Sequence, residues 1–280
     1  MNIKILSDST CDLSAQLLEE NNITLIPLTV VKNGQEFKDG VTITPAEIFA
    51  HVAAGGELCS TSANSVGEYA DIFEKYAAEF DGVLLITIGS GFSSCYQNAC
   101  IAAGDFDNVK VVDSMNLSTG QGLVVLEAAR LAKECASLEE LHEKVQAFTS
   151  KVEASFLVDK LNYLAKGGRC SAAAALGANL LNLKPCIEVR DGKMIVVKKY
   201  RGSYNKCLAS YVKERLADRE DLTRDILFVT KTSVSDEEYQ AVMEAVQEYG
   251  HFGATYETTA GCTVSCHCGP GTLGVLFVRK

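Results

Sequence analysis

Apolar positions along this chain come in short bursts, and the spacing within the bursts changes from one to the next. Ile3–Leu6 reads as a buried strand; Asp8-Ser9-Thr10-Cys11-Asp12, rich in capping residues, leads into a helix through Leu17 and Leu18. Thr24–Val31 reads as a second strand, with a tight turn at Asn33-Gly34. Thr44-Pro45 opens a helix carrying Ile48, Phe49 and Val52, and Gly55-Gly56 closes it. Ser60–Ser65 is a polar loop before a helix around Tyr69–Tyr76. Val83–Ile88 is uninterruptedly apolar, as expected of a parallel strand covered on both faces. Gly89–Ser94 is another polar loop, feeding a helix from Cys95 to Ala103. Val109–Val112 is a strand that ends at Asp113-Ser114, and two helices follow, the second opened by Ser137-x-x-Glu140. Strands alternating with helices predict a parallel α/β sheet.

After about Ser150 the pattern changes. Phe156–Val158 predicts a strand, Lys166-Gly167-Gly168-Arg169 a turn, and Ala172–Leu183 an Ala-rich helix. Cys186–Val189 and Met194–Lys198 flank Asp191-Gly192, a hairpin signature. A helix (Lys206–Leu216), a strand (Ile226–Val229), a helix opened by Ser235-x-x-Glu238 and a final strand (Leu273–Val278) complete the chain. The expected architecture is α/β, with an N-terminal parallel-sheet domain over residues 1–153 and a C-terminal mixed α+β domain over residues 154–280.

The two halves differ in charge. Residues 1–153 hold 9 Lys/Arg against 22 Asp/Glu, a net of −13, while residues 154–280 hold 17 against 14, a net of +3. The second half therefore offers a basic segment, Lys184, Arg190, Lys193, Lys198, Lys199, Arg201 and Lys206, opposed locally only by Glu188 and Asp191. It reads either as a solvated face or as a docking face for an anionic partner. The overall charge of −10 disfavours nucleic-acid binding. No apolar run approaches the ~20 residues of a membrane span. The N-terminus lacks a basic region followed by an apolar one, so no signal peptide is expected.

Eleven scattered cysteines, an odd count, fit reduced thiols in a cytoplasmic protein better than a disulfide framework. Cys262-x3-Cys266-His267-Cys268 is the local exception: close soft ligands that hold zinc in other proteins, or small side chains packed near a strand end. No second ligand pair with finger-like spacing accompanies it, and no metal is expected.

Two hydroxyl-rich loops carry the candidate chemistry: Ser60-Thr61-Ser62-Ala63-Asn64-Ser65 and Gly89-Ser90-Gly91-Phe92-Ser93-Ser94. Each precedes a helix start, where free backbone N–H groups favour an anion, at the strand ends where parallel sheets bind ligands. Plain N-capping explains either loop alone. Neither is a phosphate fingerprint; a hydroxyl pair suits a single carboxylate. Ser93 also sits between strand and helix as a nucleophile does. A serine-dependent acyl hydrolase or transferase is the alternative reading, although Gly91-Phe92-Ser93-Ser94-Cys95 lacks the second glycine of the elbow motif. His267, in a Gly-rich stretch beside the terminal strand, is a functional candidate; His142 reads as solvated on a polar helix face.

Taken together, these segments resemble the DegV family of bacterial fatty-acid-binding proteins nearly end to end. The carriers are Ser7-Asp8-Ser9-Thr10-Cys11-Asp12-Leu13, Thr61-Ser62, Gly91-Phe92-Ser93-Ser94-Cys95-Tyr96-Gln97 and Val112-Asp113-Ser114. Further along come Leu161-x2-Leu164-x-Lys166-Gly167-Gly168-Arg169, Lys184-Pro185, Arg201 and His267-x-Gly269-Pro270-Gly271-Thr272-Leu273-Gly274. The resemblance implies a lipid tunnel between the two domains holding one long-chain fatty acid, with no cofactor. It implies that Thr61, Ser62, Ser93, Ser94 and His267 bind the acid. It also implies a partner, a separate fatty acid kinase that makes acyl-phosphate for phospholipid metabolism, with Arg201, His267 and Arg169 at positions linked to that step. The chain is then a non-enzymatic carrier. It departs from the family pattern at Ala63-Asn64, where Gln-Pro is usual, and at Ser94-Cys95, where Gly-Thr is usual.

Overall fold

In the computed structural model, which describes residues 1–170 and 183–280, the first half places four parallel strands side by side. Their order is Ile23–Ile26, Ile3–Asp8, Gly82–Thr87 and Val109–Asp113. Gly82–Thr87 is buried at every position, as its unbroken apolar run requires. Parallel neighbours need crossovers, and the helices Val66–Glu79 and Cys95–Ala103 supply them. Acids at the strand ends shape the loops beyond: Asp8 accepts the Ile88 N–H at 2.7 Å, and Asp113 accepts those of Ser90 and Met115 at 3.0 and 2.9 Å.

The expected strand Thr24–Val31 is two strands in different sheets. Pro27 has no N–H for a ladder, so the chain breaks there. Thr29–Lys32 then joins a small antiparallel sheet between Gln35–Lys38 and Ser60–Ser62. The expected polar loop Ser60–Ser65 thus begins as a strand; Thr61 pairs with Val30 across it.

The second half builds a six-stranded mixed sheet in the order Lys193–Arg201, Leu183–Arg190, Val152–Val158, Thr272–Arg279, Leu222–Lys231 and Ala254–Thr259. Asp191 (φ 48°) and Gly192 (φ 69°) make the two-residue hairpin turn. Residues 172–182 of the Ala-rich helix expectation lie outside the described residues, and Leu183 begins a strand rather than ending a helix. The edge strand Ala254–Thr259 leaves little mark in the sequence, because Ala-Thr-Tyr-Glu-Thr-Thr alternates with little apolar contrast. The change of sheet falls at Val152, and the chain later crosses back. The helix Cys262–Cys268 buries Cys262 and Cys266 against Val30, Ile43, Ile48 and Cys59 of the first half. Among the described residues, no helix is long and apolar enough to cross a membrane.

Candidate functional site

Thr61 reaches the site from a strand, Ser93 from the loop after Gly82–Thr87, and His267 from the last turn of the helix Cys262–Cys268. That helix sits where sequence reasoning expects a Gly-rich loop; the glycines begin one residue after it ends, at Gly269 (φ 75°). Its N-terminal N–H groups are held by acids from the first half. Asp12 accepts from Gly261 at 2.8 Å, and Asp39 accepts from Cys262 and Thr263 at 2.8 and 3.0 Å. Ser9 and Ser118 donate to the same carboxylates. Burial raises the Asp8 carboxyl above its ordinary range and pushes Asp12 up to about 8.

Thr61 Oγ1 and His267 Nε2 lie 2.8 Å apart. Burial, aided by the Arg169 charge, lowers His267 to about 4, so the ring is neutral at pH 7. Among the described residues its buried Nδ1 has no hydrogen-bond partner; it faces Gly167, where an added Cβ would stand 2.6 Å away. A proton on Nδ1 would be an unpaired buried donor, so the favoured tautomer carries it on Nε2 and donates to Thr61. The Thr61 proton is then free. Ser93 is arranged similarly: its Oγ accepts the Cys95 N–H at 3.3 Å and lies 3.1 Å from the Cys95 thiol. Burial pushes that thiol up to about 11, so it is protonated and able to donate. In the arrangement where the thiol donates, both lone pairs of Ser93 Oγ are engaged and its proton is left for another acceptor.

Both hydroxyls line one pocket of about 540 Å³, together with Ser62, Arg169, Thr263, His267 and an otherwise apolar wall that includes Leu28, Ile88, Phe92 and Met194. A second, almost wholly apolar pocket of about 370 Å³ shares Leu117, Val264 and Cys268 with the first and runs under the six-stranded sheet past Ala154, Phe156 and Leu276. Arg169 closes one side, its Nε donating to the Phe92 carbonyl at 3.3 Å and its Nη1 to that of Gly167 at 2.8 Å. On the other side of His267 a broad outer groove of about 1150 Å³ is lined by Arg169, Lys166, Ser60 and His267 itself.

The structure does not bring every sequence-predicted residue together. Ser94 is exposed and does not line the pocket. Arg201 is exposed at the end of its strand, opposite Leu183, and lines neither the pocket nor the groove. The helix after the first loop is closed by its own capping box, Ser65 with Glu68, so its N-terminus serves no anion. Within the basic segment, Lys184 pairs with Asp159, Lys198 with Glu214 and Arg190 with Glu188. Cys262 donates to the Ile43 carbonyl and packs with Cys266, whereas Cys268 lines the pocket, so the three sulfurs do not converge on one point. His142 is half-buried rather than solvated, its Nε2 3.0 Å from the Val111 carbonyl. Sequence reasoning missed Asp39 and Thr263. Asp39 reads as part of a turn in Lys38-Asp39-Gly40, and Thr263 gains meaning only once its helix is known.

The sequence model described as "Uncharacterised protein, DegV family" matches residues 2–280. A DegV domain-containing protein of Caldanaerobacter subterraneus is 32% identical over 282 residues, covering 99% of each chain. A solved Thermus thermophilus structure, titled as fatty acid binding of a DegV family protein, superposes with a TM-score of 0.92 at 30% identity over 100% of both chains. A stearic acid-binding protein of Eubacterium ventriosum superposes at 0.83 with 28% identity, over 99% of this chain and 98% of the other.

Proposed function

The chain belongs to the DegV family, and from that premise we propose that it binds one long-chain fatty acid and presents the carboxylate to a separate fatty acid kinase, which makes acyl-phosphate. One observation carries the reading: two hydroxyls, Thr61 and Ser93, line one largely apolar pocket together, each beside a group able to donate to it and so to leave its own proton for a carboxylate. The second pocket extends the apolar wall for a tail. The solved relatives from Thermus thermophilus and Eubacterium ventriosum, named for fatty acid and stearic acid binding, support it.

The energetics assign the parts. Burying ~15 methylenes at ~0.8 kcal/mol each contributes on the order of 12 kcal/mol before ordering costs. Each charge-assisted hydrogen bond adds only ~1.5–3 kcal/mol. The tail therefore dominates affinity, while Thr61 and Ser93 orient the head and offset its desolvation. His267, between pocket and outer groove, is the wall through which the carboxylate meets the kinase. A carrier of this kind works in the cytoplasm and needs no cofactor. Among the described residues Ser93 hydrogen-bonds Cys95 and the His267 imidazole is engaged by Thr61, an arrangement that favours the carrier over the serine-hydrolase alternative. Domain boundaries at 1–153 and 154–280 remain part of this proposal, with the acid held between the two.

Native mass spectrometry of the freshly purified protein, followed by denaturing extraction, tests the reading. One C14–C18 acid per chain supports it. A protein that is empty and takes up no added palmitate refutes it. For Ser93, the expected result of Ser93→Ala is weakened but measurable palmitate binding; unchanged affinity removes Ser93 from the site. Acyl-phosphate formation that needs both this chain and a fatty acid kinase tests presentation.

A further inference from the structure

Two polar atoms in the wall of the head-group pocket are buried without a hydrogen-bond partner among the described residues: His267 Nδ1 and Thr263 Oγ1. The first faces Gly167. The second has no such explanation. Thr263 is 6% exposed, and its own N–H is fixed on Asp39 Oδ2 at 3.0 Å. A threonine inside a helix usually returns its hydroxyl to the carbonyl four residues earlier. Here that residue is Thr259, at the end of a strand and outside the helix. Buried hydroxyls are almost always paired, and an unpaired one is costly.

Helix geometry decides which way the residue faces. Thr263, Val264, His267 and Cys268 all line the head-group pocket, as one face of the helix would. Cys262 and Cys266 take the opposite side, against Val30, Ile43 and Cys59. Thr263 therefore stands one turn before His267 on the ligand side, and the Asp39 clamp holds its backbone in register. A threonine in a helix has two accessible χ1 wells, so its hydroxyl can turn to the pocket at small cost.

We infer that Thr263 is a third hydroxyl donor to the carboxylate of the bound acid, beside Thr61 and Ser93. The inference rests on the fatty-acid reading above and adds a residue to its head-group site. An ionised carboxylate offers about four acceptor sites, so two hydroxyls leave room for a third.

The test compares Thr263→Val, which keeps shape and removes the hydroxyl, with Thr263→Ser, which keeps the hydroxyl. Palmitate and hexadecan-1-ol are titrated into lipid-stripped protein, and the melting of the stripped protein is recorded. We expect Thr263→Val to bind palmitate about tenfold more weakly, Thr263→Ser within about twofold of wild type, and hexadecan-1-ol to lose much less. The stripped Thr263→Val protein should melt no lower than wild type, because an unpaired hydroxyl has been removed. Unchanged palmitate affinity in Thr263→Val overturns the inference, as does a loss shared equally by the alcohol or accompanied by a lower melting temperature. A wild-type protein that binds no palmitate overturns the fatty-acid reading itself, and this inference with it.

Discussion

Thr61 and His267 are 206 residues apart in the chain, yet Thr61 Oγ1 and His267 Nε2 lie 2.8 Å apart. The contact closes the small antiparallel sheet against a helix contributed by the second half. It also makes an imidazole the partner of the Thr61 hydroxyl, proposed above to hold the carboxylate. His267→Ala should weaken palmitate binding by about fivefold, the size of the one ordinary hydrogen bond by which the neutral imidazole orients the Thr61 hydroxyl. His267 also predicts a pH effect. Its folded value, about 4, lies below the ordinary 6.5. Between these values the unfolded chain takes up a proton that the folded one refuses. Stability is therefore complete above about 6.5 and lost as pH falls towards 4, by up to about 3 kcal/mol. Thermal melts of wild type and His267→Gln at pH 7 and pH 4.5 check this: the variant should lose less on acidification.

The Cys95 thiol is the side-chain group next to Ser93 Oγ, at 3.1 Å. If the S–H donation leaves the Ser93 proton for the ligand, Cys95→Ala should weaken palmitate binding about fivefold, the size of one ordinary hydrogen bond. Cys95→Thr should restore it, since a hydroxyl donates to the same oxygen. Isothermal titration of the three proteins decides; equal affinities would mean that the backbone N–H of Cys95 is enough to orient Ser93.

How far the sequence reveals such a site depends on whether the relevant contacts are local. Strand cores such as Gly82–Thr87 and helix starts such as Thr44–Glu47 are written in adjacent residues, with period and caps in plain view. The hydroxyls of Thr61 and Ser93 are legible for the same reason. Asp39 is not, because what matters is that it meets Cys262 and Thr263 more than 200 residues later. The helix that carries His267 escaped notice too. It is seven residues long and flanked by Gly261 and Gly269 at its caps, so glycines hide it, and acids from the other half hold its first N–H groups. Pro27 was visible, but that it separates two sheets was decided by which neighbours each fragment found.

Asp12 predicts a pH effect of opposite sign. Burial raises its folded value to about 8, well above the unfolded one. The folded state therefore holds a proton that the unfolded state has already released. Stability is complete below about 4 and declines as pH rises through about 8. Asp8, also raised by burial, acts in the same direction. Asp12→Asn retains an acceptor for the Gly261 N–H and removes the charge. Its melting temperature should fall less than that of wild type between pH 6 and pH 9, and parallel curves would show that Asp12 does not titrate there.

Gly91 gives a prediction about the joint itself. A Cβ at Gly91 would lie 2.2 Å from the Gly192 carbonyl oxygen, a backbone atom at the tip of the Asp191-Gly192 turn. No real Cβ approaches so closely, and a backbone carbonyl cannot swing aside as a side chain does. Gly192 is itself constrained, since its own φ is +69° and Met115 Cε is 3.2 Å from where its Cβ would be. Gly91→Ala must therefore push the Ser93 loop and the hairpin apart. Overpacking of this kind costs about 1–3 kcal/mol. Phe92 and Ser93 line the pocket from one side and Met194 from the other, so the separation also loosens the ligand's enclosure. The expected outcome is a lower melting temperature together with faster palmitate release in stopped-flow displacement. Gly67→Ala is the control: it sits in the helix Val66–Glu79 with nothing within 4 Å of its added Cβ, so it should be neutral or stabilising by up to about 1 kcal/mol. If Gly91→Ala behaved like Gly67→Ala in both measurements, the contact between the loop and the hairpin would not hold the ligand in.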